Sequence, residues 1–290
     1  MENIIEIKDV TKNYGKNIGI QNLNLKIRKG EVLGFIGPNG AGKSTTIKCI
    51  MDFVNLNSGF INVNNQLVKR NNFKLKEKIG YLPSEIHLYE DLTVWQMIEY
   101  SNKFYKNDCI KKAKELVERL EIDIKKRIDE LSLGNLKKVG IVLALMHNPE
   151  IIIMDEPTSG LDPLMQEEFY KIINEEKEAG KTIFYSTHIL NEVKRICDRI
   201  AIIKDGKIIK IDNIENFNNS NLVKVELESE VVNQIKEKLN LKEFQENEKE
   251  LKFVCSDVNK LIRVLSEFSI NKLLINELDI EEIFIHYYKD

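Results

Sequence analysis

The chain has 290 residues, 42% of them apolar and 31% charged, a balance that can bury a full core. Lys+Arg 43 against Asp+Glu 46 leave a net charge of -3, so there is no broad basic surface for nucleic acid or anionic lipid, and no nucleic-acid partner is expected. The longest apolar runs, such as Ile151 to Met154 and Ile200 to Ile203, fall far short of the roughly 20 residues a spanning helix needs, so any membrane association has to come through a partner.

In chain order, Met1 to Val10 alternates apolar and charged residues, lacks the apolar stretch of a signal peptide, and predicts a first strand. Glu31 to Ile36, Ile151 to Met154, Thr182 to Ser186 and Arg199 to Lys204 are beta-branched, strand-like runs separated by helical patterns, which predicts a largely parallel sheet covered by helices. Between Pro83 and Pro149 the strand signals disappear, and Val94 to Tyr105, Ile110 to Leu120 and Leu136 to His147 carry helical spacing. This stretch predicts a helical insertion. Asp205-Gly206, between Ala201-Ile-Ile-Lys204 and Lys207-Ile-Ile-Lys210, predicts a two-residue hairpin turn.

Beyond Asn213 the polar stretch Glu215 to Asn221 reads as a linker, and the charge balance changes: residues after 214 hold 10 basic against 16 acidic side chains. Leu222 to Leu227, Leu251 to Val254 and Leu273 to Ile275 are strand-like, with helical patterns over Val231 to Leu239, Val258 to Phe268 and Ile280 to Tyr288. That order predicts a small βαββαβ unit and a last helix. The expected organisation is a sheet domain over 1-213, its helical subdomain at about 84-148, and an accessory α+β domain over 214-290. Cys49, Cys109, Cys197 and Cys255 show no metal-ligand spacing and read as free, buried thiols of a reducing compartment.

Gly37-Pro38-Asn39-Gly40-Ala41-Gly42-Lys43-Ser44 matches GxxxxGK[ST] between an apolar strand and the predicted helix Ser44 to Asp52. Glycines let backbone N–H groups converge on phosphates without a Cβ in the way, and the helix N-terminus adds its dipole. Lys43 is then a mobile cation for the terminal phosphates, and the Ser44 hydroxyl a Mg²⁺ ligand. Ile151-Ile-Ile-Met-Asp155-Glu156 is a doubly buried strand ending in two acids, where ligands of open α/β sheets collect. Asp155 is placed to hold Mg²⁺ through water, and Glu156 to orient and polarise the attacking water. His188, at the end of another apolar strand, can donate to the γ-phosphate as charge builds there.

Together with Leu131-Ser132-Leu133-Gly134-Asn135 and Ser159-Gly-Leu-Asp162, these segments appear in the order and approximate spacing of the ABC transporter ATPases, which residues 4 to about 212 resemble. The resemblance implies a P-loop NTPase sheet domain of ABC type with a helical subdomain, binding ATP and Mg²⁺ and hydrolysing ATP. It implies a second ATPase subunit, a homodimer being expected, whose phosphate loop meets Ser132, Gly134 and Asn135 in trans. Asp162 falls where the family's dimer-seam aspartate lies, and Thr45 closes the nucleotide loop. Tyr14 falls where an aromatic stacks on adenine, and is equally accounted for as a packed tyrosine.

Three positions depart from the family. Ser84 replaces the usual Gln beside the metal, where a hydroxyl reaches Mg²⁺ only through water unless Glu85 substitutes; Leu133 stands for Gly, and Asn135 for Gln. The resemblance further implies an integral membrane permease as partner, docked between Ser84 and Tyr105, and a cytoplasmic location on the inner membrane face. Trp95 in that stretch reads equally as a core residue. The accessory domain, with Leu278-Asp-Ile-Glu-Glu-Ile-Phe284, resembles the extension of bacterial exporter ATPases, so export is expected over import. The alternative is an ATP-binding regulator with weak hydrolysis, consistent with Ser84 and opposed by Glu156 and His188.

Overall fold

The computed structural model describes residues 2-69, 72-218, 221-227, 229-239, 241, 244-247, 250-255 and 257-277. The predicted helix Ile280 to Tyr288 and the Leu278 to Phe284 segment lie outside the described residues. The chain forms two compact units, Met1–Ile211 and Asp212–Asp290.

The first unit opens with β1 (Asn3–Tyr14), β2 (Asn17–Arg28), β3 (Val32–Ile36) and α1 (Lys43–Ile50). β4 (Ser58–Val63), β5 (Gln66–Leu67), α2 (Phe73–Lys76) and β6 (Ile79–Leu82) follow, leading into three helices, α3 (Val94–Asn102), α4 (Ile110–Arg119) and α5 (Leu133–Leu145). The sheet resumes with β7 (Ile151–Asp155), α6 (Pro163–Glu178), β8 (Thr182–Thr187), α7 (Leu190–Ile196), β9 (Arg199–Lys204) and β10 (Lys207–Asn213).

Six strands form one sheet in the order β10-β9-β3-β8-β7-β6, with β9, β3, β8, β7 and β6 parallel. Every residue of β3, β7 and β8 is buried, as two covered faces require. β9 and β10 are joined through Asp205 (φ 47°) and Gly206 (φ 75°), the pair of positive values that a tight hairpin needs. A second sheet, β2-β1-β4-β5, is antiparallel, and α1 packs between it and β7. Residues of both sheets and of α1, including Ile7, Leu25, Phe35, Ile47 and Ile153, share one apolar core.

Local chemistry fixes the helix starts. Thr93 and Gln96 bond each other's backbone N–H groups at the head of α3, Ser132 caps α5 and Asp162 caps α6 with Pro163 next. α5 therefore begins at Leu133, three residues before the predicted Leu136. Gly134 and Asn135 are weak helix formers, but the Ser132 cap carries them into the first turn.

The second unit contains α8 (Ile214–Asn218), β11 (Asn221–Glu226), α9 (Ser229–Leu239), β12 (Phe244–Asn247), β13 (Glu250–Cys255), α10 (Val258–Leu265) and β14 (Lys272–Glu277). Its strands lie in the antiparallel order β12-β13-β11-β14, and Val223, Val225, Ile235, Phe253 and Leu261 sit in its core. Part of the expected linker is helical instead. Asp212 Oδ1 accepts from Asn213 N (2.8 Å) and Asn216 Nδ2 (2.5 Å), a local bond network that starts the α8 turn. Cys49, Cys109 and Cys197 are buried and Cys255 half-buried, all as free thiols.

Candidate nucleotide site

Strand register assembles the site. Ile36 of β3 lies beside Thr187 of β8, and Ser186 of β8 beside Asp155 of β7. The next residues along each strand, Gly37, His188 and Glu156, therefore emerge together at the carboxyl edge of the parallel strands, where ligands of open α/β sheets bind. Ser84 leaves the same edge from β6, two residues past Leu82, which pairs with Met154.

The loop from Gly37 to Gly42 closes tightly before α1. Gly42 adopts φ 111°, and a Cβ there would come within 2.7 Å of Gly19 O, so only glycine fits. Pro38 is half-buried and Ala41 buried, while Asn39 and Gly40 are exposed and Ser44 and Thr45 half-exposed. Lys43 is 5% exposed, and its ammonium folds over its own loop, donating to Gly37 O (2.8 Å) and Pro38 O (3.2 Å). The same Nζ is 3.4 Å from Glu156 Oε1, which in turn is 3.2 Å from His188 Nδ1. A cation, a carboxylate and an imidazole thus form one chain at the mouth of the phosphate loop.

Glu156 has φ 49°, a left-handed conformation uncommon for a non-glycine residue. Its N–H donates to Ser186 O (3.0 Å), so β8 holds the turn in place. Asp155, 2% exposed, accepts a hydrogen bond from the Ser186 hydroxyl, a partner the sequence offers only as one more residue of a buried strand. Its negative charge, after burial, helps push the Tyr81 hydroxyl up to about 12.

Ser84 is exposed, and its contribution is through the backbone: Lys137 Nζ donates to Ser84 O (2.8 Å) and Pro83 O (3.3 Å). Lys137, 4% exposed in α5, has its pKa lowered by burial, with Asp155 and Glu156 pulling it back up. No motif flags Lys137. A cavity of about 330 Å³ lies beside this strut, lined by Ser84, Ile86, Leu133, Leu136 and Gly160 among others.

The remaining candidates stand apart from this cluster. Ser132 is exposed, and its Oγ accepts from Asn135 N (3.3 Å), while Gly134 packs so closely on Gly160 that a Cβ would meet its carbonyl at 2.5 Å. Asp162 is exposed and accepts from Met165 N (3.0 Å). Among the described residues, no hydrogen bond or ion pair joins Ser132, Gly134, Asn135 or Asp162 to the phosphate loop of the same chain. Tyr14 is 45% exposed with the Lys12 ammonium 5.0 Å from its ring centre. A Cβ built on Gly19 would touch Tyr14 Cε2 at 3.1 Å and the Thr45 methyl at 3.0 Å, so the ring borders the phosphate-loop helix. Among the described residues, no helix is long and apolar enough to cross a membrane.

Residues 20–159 match the family described as ABC transporter. The chain is 37% identical over 213 residues to the linearmycin resistance ATP-binding protein LnrL of Bacillus subtilis, covering 72% of this chain and 68% of that one. It is 30% identical to the bacitracin transport ATP-binding protein BcrA of Bacillus licheniformis, covering 99% and 86% respectively. Among solved structures, it superposes on the dimeric post-hydrolysis state of the ATP-binding cassette MJ0796 bound to ADP and Pi, with a TM-score of 0.66 and 27% identity over 72% of this chain and 98% of that one.

Proposed function

From its membership of the ABC transporter family, as an ATP-binding subunit that hydrolyses ATP, we propose that two copies of this chain pair head to tail, share two composite ATP sites, and drive a separate membrane permease in export. In this reading the ATPase domain spans 1-213 with its helical subdomain at about 84-148, and 214-290 is an accessory domain. The observation that carries it is the divided constellation. Lys43, Glu156 and His188 are linked at 3.4 and 3.2 Å, whereas among the described residues no bond joins the exposed, serine-capped start of α5 to the phosphate loop of its own chain.

Each residue then has a role. The backbone from Gly37 to Thr45 cradles the phosphates, and Tyr14 stacks on adenine. Lys43 exchanges its bonds to Gly37 O and Pro38 O for phosphate oxygens, since an ammonium has only three donors, and this also releases Glu156. Freed, Glu156 orients the attacking water while His188 donates to the γ-phosphate. Ser132, the backbone of Gly134 and Asn135, and the α5 dipole close the site of the other copy, with Asp162 at the seam.

For Mg²⁺, the described residues hold no group of three or more His, Cys, Asp or Glu that would cage a metal. One hydroxyl (Ser44) and one buried carboxylate (Asp155), with Ser84 O–H reaching through water, are the hard donors that suit an ion bound mainly by phosphates and water. Such an ion supplies neutralising charge to the phosphates.

The proposed docking surface for the permease runs from Ser84 to Tyr105. Tyr89, Tyr100 and Phe104 are exposed there, stacked edge to face at 5.3 and 5.2 Å between ring centres, an aromatic surface of the kind that partners cover. Location on the cytoplasmic face of the membrane follows from that contact. The names of LnrL and BcrA, a resistance and a transport protein, support export.

Glu156→Gln tests the shared site. It removes water activation and leaves ATP contacts intact, so the variant is expected to hold ATP and to elute as a dimer with ATP and as a monomer without it. A variant that binds ATP yet stays monomeric would refute the composite site.

A further inference from the structure

Glu192 lies in α7, four residues beyond His188, and is 2% exposed. Its carboxylate accepts from four hydroxyls: Thr158 Oγ1 and Tyr170 OH (3.3 Å) on Oε1, and Tyr185 OH (2.9 Å) and Thr187 Oγ1 (2.7 Å) on Oε2. An ionised carboxylate has about four lone-pair positions and no donor, so this set uses its whole capacity. Two of the donors lead into the nucleotide site. Thr158 is two residues past Glu156, and Thr187 immediately precedes His188. Thr187 Oγ1 also accepts from Ile189 N (2.9 Å), so the backbone on both sides of His188 is tied to the same point. The other two donors, Tyr170 in α6 and Tyr185 inside β8, are buried packing residues.

The Glu156 turn needs such a restraint, because its φ of 49° is held only where surroundings impose it. We propose that Glu192 is a positioning residue for hydrolysis: from behind the sheet edge, one buried carboxylate sets the separation of the Glu156 carboxylate and the His188 imidazole. This rests on the roles given above to Glu156 and His188. It assigns a function to a buried residue that acts through the hydroxyls it holds.

Truncating Glu192 itself would strand four buried hydroxyls, so the test uses its donors, one bond at a time, in the full-length chain. Thr158→Val and Thr187→Val each free one catalytic turn, and each is expected to lower kcat roughly 10- to 100-fold, the scale of a small misplacement of reacting groups, with the Kd for ATP within about twofold. Tyr170→Phe removes a bond to the same carboxylate that leads to neither turn, and kcat is expected to stay within about twofold. Thermal melts of all three give their stability. The proposal is overturned if both valine variants keep full kcat, or if Tyr170→Phe loses as much as they do. Glu156→Gln run in parallel separates the two readings. Normal turnover in that variant would sink the site assignment and this proposal together, whereas lost turnover beside fully active valine variants would sink this proposal alone.

Discussion

Replacing Gly134 with Ala would test whether the start of α5 and the turn before α6 act as one rigid surface. A Cβ on Gly134 would stand 2.5 Å from Gly160 O, about 0.5 Å inside the 3.0 Å that real Cβ contacts respect. The atom in the way is backbone, so no side chain can swing aside. Either the α5 tip or the Ser159 to Asp162 turn has to move by that amount. Overpacking of this kind costs about 1–3 kcal/mol, or a melting temperature lowered by a few degrees to roughly 10 °C in a domain this size. A shift of the Ser132 cap at the proposed composite site is expected to cut ATP turnover by on the order of 10- to 100-fold. Gly180→Ala is the control: φ is 80° with nothing within 4 Å of the new Cβ, so strain of about 1–2 kcal/mol arises far from any bond to the site. Turnover and melting curves of the two variants decide the matter. If both lose similar stability and both keep wild-type turnover, the close approach of Gly134 to Gly160 has no part in catalysis.

Lys43→Ala removes the only side-chain cation bonded to the Gly37 and Pro38 carbonyls among the described residues, and is expected to abolish tight Mg-ATP binding; unchanged affinity by calorimetry would contradict the loop assignment. Ser84→Gln is expected to keep or raise ATPase activity, because Lys137 holds Ser84 through its carbonyl and the side chain is exposed; a collapse in rate would assign the hydroxyl its own role. Burial holds the His147 imidazole down at about 4, against 6.5 ordinarily, so it stabilises the fold above pH 6.5 and loses that contribution as pH falls from 6.5 towards 4. His147→Phe is therefore expected to flatten the fall in urea midpoint between pH 7 and 5, by at most about 2 kcal/mol in unfolding free energy. An identical fall in both proteins would show that His147 protonates freely while folded.

Much of the parallel sheet was legible because a doubly buried strand has to be apolar throughout, and β3, β7, β8 and β9 each have such a run. The hairpin at Asp205-Gly206 was legible for a similarly narrow reason, the demand for two positive φ values. The antiparallel sheet was legible only in its first strand, β1, where Met1 to Val10 alternates apolar and charged residues. β2 buries only alternate residues in its second half and exposes Gln21 and Asn22 in its first, so no sustained pattern marks it. In the site, Lys43, Asp155 and Glu156 belong to short motifs whose spacing is set by the backbone around a phosphate. Ser186, Glu192 and Lys137 do not, because each acts across the fold. Ser186 reaches Asp155 through sheet register, Glu192 reaches Thr158 from α7, and Lys137 reaches Ser84 from α5. Such pairs are 31, 34 and 53 residues apart in the chain, and no local pattern encodes them.

Lys137 shows what such a long-range contact can do. An ammonium with 4% exposure loses most of its hydration, and that cost is offset only while its donors meet acceptors. Here the acceptors are two carbonyls at the exit of β6, and the nearby carboxylates of Asp155 and Glu156 favour the charged form. Drawing the Ser84 segment away from α5 would leave a buried cation short of partners, a far larger penalty than parting two exposed side chains. The loop at the proposed docking surface and the helix whose tip carries Ser132 are therefore obliged to move together. In the proposed dimer, a force applied at Ser84 to Tyr105 would pass through Lys137 to α5 and so to the Ser132 tip that would face the other copy's ATP. The bond that would carry this coupling is made by the backbone carbonyl at position 84, which a serine supplies as well as a glutamine.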